Sequence, residues 1–150
     1  MLDLQIKRLT PEAQMPTKGY EYSVGWDLYA HIRSENGRPS KRLIPARTTT
    51  LVPSGIAIEP PPGYFVMVCS RSGLARLSMF VANSPGIIDP DYRGEIITMM
   101  YNGGTEAQYI SDGDRIAQLV LVQAQDLRLI EIAEMSETNR GTKGFGSSGR

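Results

Sequence analysis

Cysteine and histidine each occur once in the 150-residue chain, as Cys69 and His31, and that scarcity closes several routes at the outset. No intrachain disulfide framework can form, and no zinc site of cysteine and histidine ligands can be assembled. Any nucleophile–histidine pair would depend wholly on His31. Cys69 lies in the apolar run 64–69 and reads as a small buried hydrophobe. Hydrophobic runs of membrane-spanning length are also lacking, and the N-terminal MLDLQIKRL alternates apolar with charged residues, unlike the continuous apolar core of a signal peptide. Excess charge of one sign is missing too. Sixteen basic residues balance 16 acidic ones, so no broad surface for nucleic acid or membrane is expected and any bound anion must be held locally. The expectation is a soluble cytoplasmic protein.

What the chain has instead is punctuation. Its 15 glycines and 10 prolines make up 25 of 150 residues, above the roughly 12% of average usage, and they fall between short apolar runs. Leu2, Leu4 and Ile6 alternate with polar residues, as do Trp26, Leu28, Ala30 and Ile32, each set fitting a half-buried strand. Further strands are expected over 48–52, 55–58, 64–70, 95–101, 115–122 and 127–132, with Asp112-Gly113 as a tight turn. Only SGLARLSM, residues 72–79, suggests a helix, of one or two turns. Many short strands without long helices point to an all-β domain, a jelly-roll barrel or sandwich, over residues 1–134. From 135 to 150 large apolar residues nearly vanish, and a flexible glycine-rich C-terminal arm is expected.

Five stretches carry candidate chemistry. In CSRSGLA, 69–75, a strand runs through Arg71, Ser72 and Gly73 into the short helix, a set suited to a phosphate, although Ser72 as an ordinary helix cap explains it as simply. In NSPGIIDPDYRGE, 83–95, Asp89-Pro90-Asp91 reads as a turn between strands, and its carboxylates could hold water or metal or be turn chemistry alone. In DGDRIAQLVL, 112–121, Gln118 is an amide within an apolar strand and must find a partner in backbone or ligand. In SVGWDLYA, 23–30, alternation turns Asp27 away from the apolar set. The last stretch, RGTKGFGSSGR, 140–150, holds Arg140, Phe145, Gly146, Ser147 and Ser148: disorder by composition, yet a set of cations, hydroxyls and one aromatic that fits a nucleotide.

Taken in this order and at these separations, the five stretches resemble the five motifs of the homotrimeric dUTPase family, from Ser23 to Gly149. Val24 and Trp26 depart from the Ala and Tyr frequent there, Ser70 from Pro, Lys143 from Gly and Ser148 from Thr, and no required chemical group is lost. The resemblance implies a distorted jelly roll and a homotrimer with active sites shared between subunits. It implies hydrolysis of dUTP to dUMP and pyrophosphate with Mg2+, which keeps uracil out of DNA and supplies dUMP for thymidylate. Residue by residue, it implies Asp89 as the base that activates the attacking water and Tyr92 as the wall against the deoxyribose. Asn83 and the main chain of Gly86, Ile87, Ile88 and Ile97 would line the uracil slot. Arg71, Ser72, Gly73 and Gln118 would contact the phosphates, with Arg140, Phe145, Gly146, Ser147 and Ser148 closing over the nucleotide. Asp27 is implied either near the metal, in its outer shell, or as a structural carboxylate.

The related dCTP deaminases share the fold and imply a glutamate base on the strand after the hairpin. In GEIITMMYN that position aligns with Met99, so the base is missing. A binding module without turnover would not need both Asp89 and the complete terminal motif.

Overall fold

The computed structural model describes residues 2–144. Eleven strands and one helical turn follow one another among these residues: β1 (Gln5–Arg8), β2 (Trp26–Tyr29), β3 (Lys41–Ile44), β4 (Thr49–Pro53), β5 (Ile56–Glu59), β6 (Tyr64–Cys69), α1 (Ser72–Ala75), β7 (Met79–Val81), β8 (Gly86–Ile88), β9 (Ile97–Asn102), β10 (Gln108–Ser111) and β11 (Arg115–Gln123). They pair antiparallel as β2-β11-β6-β8, β4-β9-β7, β1-β5 and β3-β10. Short antiparallel strands packed around two core clusters give an all-β fold of the jelly-roll type that the punctuation predicts, the distorted jelly roll that the resemblance implies.

Alternation decides what goes inside. In β6, Val66 and Val68 are buried, while Phe65 and Met67 face the other way and are only partly covered. Those valines join Leu28, Ile56, Ile58, Val81, Ile96, Ala117 and Leu119 in one cluster, and Ala30, Ile32, Ile44, Val52, Met79, Met100, Ile110 and Ile116 form a second. Each fully buried side chain of this size contributes roughly 1.5–3 kcal/mol relative to exposure. The register of β2 against β11 shifts between Arg115 and Ala117, which lets Ile116 and Ala117, adjacent in sequence, both be buried.

Several expectations need correction. The helix is a single turn, and its N-cap is Arg71, in extended conformation without a side-chain cap bond, so Ser72 is not the cap. The rest of the 72–79 stretch turns into β7, whose Met79 and Val81 are buried. Strands β3, β7 and β10 were not legible, being short or mixed in polarity. Cys69 is only partly buried, and burial raises its thiol pKa above the usual value. The expected strand 127–132 is absent: no strand among the described residues takes it up, and Leu127, Leu129, Ile130 and Ile132 are 58–92% exposed. The turn Asp112-Gly113 is present, with Gly113 at φ +82°.

Candidate active site

One row across the four-stranded sheet builds the first cleft. Asp27 of β2 lies opposite Gln118 of β11, which lies opposite Cys69 of β6. Because side chains alternate, Gln118 points away from the buried Ala117 and Leu119, toward the same surface as Asp27. Two residues beyond Cys69 the strand ends and delivers Arg71, with Ser72 and Gly73 opening α1. The result is a cleft of about 440 Å³ that gathers Gly25, Asp27, Arg71, Ser72, Gly73, Arg115 and Gln118, with Tyr20 and Ser23 on its rim.

Asp27 is the electrostatic centre of this cleft. One carboxylate oxygen accepts Arg71 Nε at 2.7 Å and the other accepts Arg115 Nη1 at 3.3 Å. Arg71 also donates to the Arg115 carbonyl at 3.1 Å. Two guanidiniums on one carboxylate leave a net positive charge, and Asp27, with its side chain only 15% exposed, holds both of them on the sheet. The surface charge expected at Asp27 is therefore a half-buried ion pair. Gln118 donates Nε2 to the Ser70 carbonyl at 3.0 Å, and Ser70 in turn accepts Val81 N–H on its hydroxyl and donates its own N–H to Ser84 Oγ. Proline at this position would lack that N–H, so Ser70 ties the end of β6 to the loop before β8.

The second pocket, about 240 Å³, lies at the other edge of the sheet and is lined by Ile87, Ile88, Asp89, Tyr92, Glu95 and Ile97. Strand β8 pairs with β6 through Gly86, Ile87 and Ile88, which sets this pocket at a fixed register from Arg71. The buried Gly86 lies against Asn83, where a Cβ would stand 3.1 Å from the amide nitrogen. The turn predicted at Asp89-Pro90-Asp91 closes through Tyr92 N–H to Asp89 carbonyl at 3.1 Å. Asp89 is exposed, and among the described residues its carboxylate joins no ion pair.

The predicted site residues thus fall into two pockets of one sheet, Arg71, Ser72, Gly73, Gln118 and Asp27 in one, and Ile87, Ile88, Asp89, Tyr92 and Ile97 in the other, with Asn83 beside it. Arg140 is elsewhere, donating Nε to the Lys143 carbonyl at 3.1 Å. Phe145, Gly146, Ser147 and Ser148 lie outside the described residues. Three residues were missed. Arg115 shares Asp27, Gly25 abuts Gln118, and Glu95 holds the hairpin; each acts through a contact of 40 residues or more in sequence separation, which no local pattern signals.

An all-β jelly roll that carries a cationic cleft and, at the other edge of the sheet, a slot with an unpaired carboxylate has the groups to receive an anionic ligand. The family model described as dUTPase matches residues 11–149, and this chain belongs to the dUTPase family. It is 41% identical over 146 residues to the deoxyuridine 5'-triphosphate nucleotidohydrolase of Orientia tsutsugamushi, covering 97% of this chain and 95% of that protein. To the enzyme of the same name from Caldanaerobacter subterraneus it is 40% identical over 149 residues, with 97% of each covered. Among solved structures, a variant of the Staphylococcus bacteriophage 80alpha dUTPase with dUpNHpp superposes with a TM-score of 0.85 over 99% of both chains at 24% identity, a likeness of fold.

Proposed function

We propose that this enzyme hydrolyses dUTP to dUMP and pyrophosphate by attack of water on the α-phosphorus. The observation that carries the reading is that one sheet presents a cationic cleft lined for phosphates at one edge and a slot with a free carboxylate at the other, the two halves that a homotrimer with shared sites would bring together between subunits. Asp89 accepts a proton from water as its oxygen bonds to the α-phosphorus, and the bond to the bridging oxygen breaks with its electron pair leaving on pyrophosphate. Asn83 and the backbone of Gly86, Ile87, Ile88 and Ile97 receive the uracil, and Tyr92 walls the deoxyribose. Arg71, Ser72, Gly73 and Gln118 receive the phosphates, with Arg115 as a further cation at the rim.

A Mg2+ ion would arrive with the substrate, held by its phosphates and water. Among the described residues no group of three or more His, Cys, Asp or Glu could cage a metal, and both oxygens of Asp27 are taken by guanidiniums. Such an ion, held by phosphates and water, neutralises phosphate charge. Residues 1–134 act as the core and 135–150 as the arm that closes over the nucleotide, expelling water. The exposed Leu127, Leu129, Ile130 and Ile132 support a homotrimer, in which a neighbouring subunit covers what this chain leaves bare. We place the enzyme in the cytoplasm, acting on the nucleotide pool so as to keep uracil out of DNA and supply dUMP; no described helix is long and apolar enough to cross a membrane.

A panel of nucleoside triphosphates with Mg2+, followed for pyrophosphate and ammonia, tests this reading. Pyrophosphate from dUTP alone is expected. Ammonia from dCTP would point instead to a deaminase, for which β9 offers no acidic residue. Asp89→Asn keeps nucleotide binding and loses on the order of 10²- to 10⁴-fold in turnover; wild-type turnover in that variant removes Asp89 from the role.

A further inference from the structure

The loop between β8 and β9 that carries Asp89 and Tyr92 is exposed, yet one of its side chains reaches into the core. Glu95 Oε1 accepts the Gly55 N–H at 2.6 Å. Gly55 is a rigid anchor: it is buried at φ +70°, its carbonyl accepts Leu9 N–H at 2.8 Å, and a Cβ there would overlap Ala13 and the His31 ring. Just beyond, Ile96 N–H donates to the Ile56 carbonyl at 2.9 Å and Ser54 Oγ donates to the Ile96 carbonyl at 2.6 Å. The end of this loop is therefore fixed to the start of β5.

That fixed point is also what holds the tyrosine. The Tyr92 hydroxyl donates to the Glu95 carbonyl at 3.0 Å, so the ring is bridged across its own loop. Gly94 permits this crossing, since a Cβ there would stand 2.6 Å from Tyr92 Cζ. Arg93 braces the opposite side, donating Nη1 to the Pro90 and Tyr92 carbonyls and pairing Nη2 with Glu59 at the far end of β5. The Arg93–Glu59 pair is about half exposed and contributes little, whereas the Glu95–Gly55 bond is part-buried and charge-assisted.

We infer that Glu95 is a positioning residue for sugar selection: its carboxylate on Gly55 N–H and its carbonyl on the Tyr92 hydroxyl set the ring at the distance that separates a deoxyribose from a ribose. The inference rests on the reading of Tyr92 as the sugar wall. A ring pinned at its hydroxyl cannot yield to an added 2'-oxygen; released, it can. Charge is not essential to the tie, because a glutamine side-chain carbonyl accepts the same N–H.

The experiment measures kcat/KM for dUTP and for UTP in four variants, with thermal unfolding alongside. Glu95→Ala lowers the dUTP-over-UTP ratio by about tenfold or more, within the 10- to 200-fold span of a single steric discrimination. Glu95→Gln returns the ratio to within about threefold of the parent, because the acceptor is kept. Tyr92→Phe cuts the same tie from its exposed end and lowers the ratio without a loss of fold, so the inference stays testable if Glu95→Ala unfolds. An unchanged ratio in Glu95→Ala, or in Tyr92→Phe, overturns the inference, and a lowered melting temperature alone marks Glu95 as merely structural. Tyr92→Ala separates the premises: a parental ratio there overturns the sugar-wall reading itself, and the inference with it.

Discussion

Gly25 offers the sharpest test of how the phosphate-side cleft is built. A Cβ placed there would overlap Gln118 Oε1 and stand 3.2 Å from its Cδ, while the backbone is outside the left-handed region, so alanine adds no strain of its own. The far end of a flexible side chain must give, and to regain ordinary contact near 3.5 Å the amide moves by about 1 Å. That movement breaks the Gln118 Nε2 to Ser70 carbonyl bond, now 3.0 Å, at a cost of about 1 kcal/mol. For a chain of this size the expected fall in Tm is about 2–4 °C. Activity suffers more than stability, because a group misplaced by 1 Å can lower kcat/KM by up to about 10²-fold. Pyrophosphate release from dUTP and thermal unfolding on the same preparation of Gly25→Ala give both numbers. The same substitution in a Gln118→Ala background should change kcat/KM by less than about twofold, since the clash partner is gone. Parental activity in the single variant, or an equal further loss in the double variant, would refute the argument that Gly25 acts through Gln118.

Asp27→Asn leaves two guanidiniums sharing a neutral amide; unfolding measurements should show a loss of about 1–3 kcal/mol, and KM for dUTP should rise as Arg71 loses its anchor. If Asp27 served instead only as an outer partner of Mg2+, the variant would need more Mg2+ for half-maximal rate with unchanged stability. Removing residues 140–150 is expected to leave melting temperature and oligomeric state unchanged, measured by calorimetry and light scattering, while dUTP turnover collapses; an unfolded or dissociated product assigns those residues to the scaffold.

Much of this molecule was legible in its chain. The strands over Trp26, Thr49, Ile56, Tyr64, Ile97 and Arg115 announce themselves by alternation or apolar runs, because a pleated strand with one buried face must repeat every two residues. Glycine and proline place the turns at Asp112-Gly113 and Asp89-Pro90, where backbone geometry restricts which residues fit. β3 and β10 stayed hidden because four residues of mixed polarity carry no period, and β7 because three apolar residues are too few to show one. Residues 127–132 show the converse failure. Their pattern is that of a strand, yet pairing needs an edge to pair with, and among the described residues none takes them.

The sequence by itself determined the residue types that a nucleotide site requires, their order, and the sheet that would carry them. The tertiary structure decided their relations. Asp27 and Arg115 are 88 positions apart and meet because β2 and β11 pair antiparallel. Glu95 reaches Gly55 because Ile96, the residue before β9, is bonded to Ile56 at the start of β5. Local propensity acts over a few residues, whereas an ion pair or an anchored loop depends on which strands lie side by side, and only the folded chain fixes that.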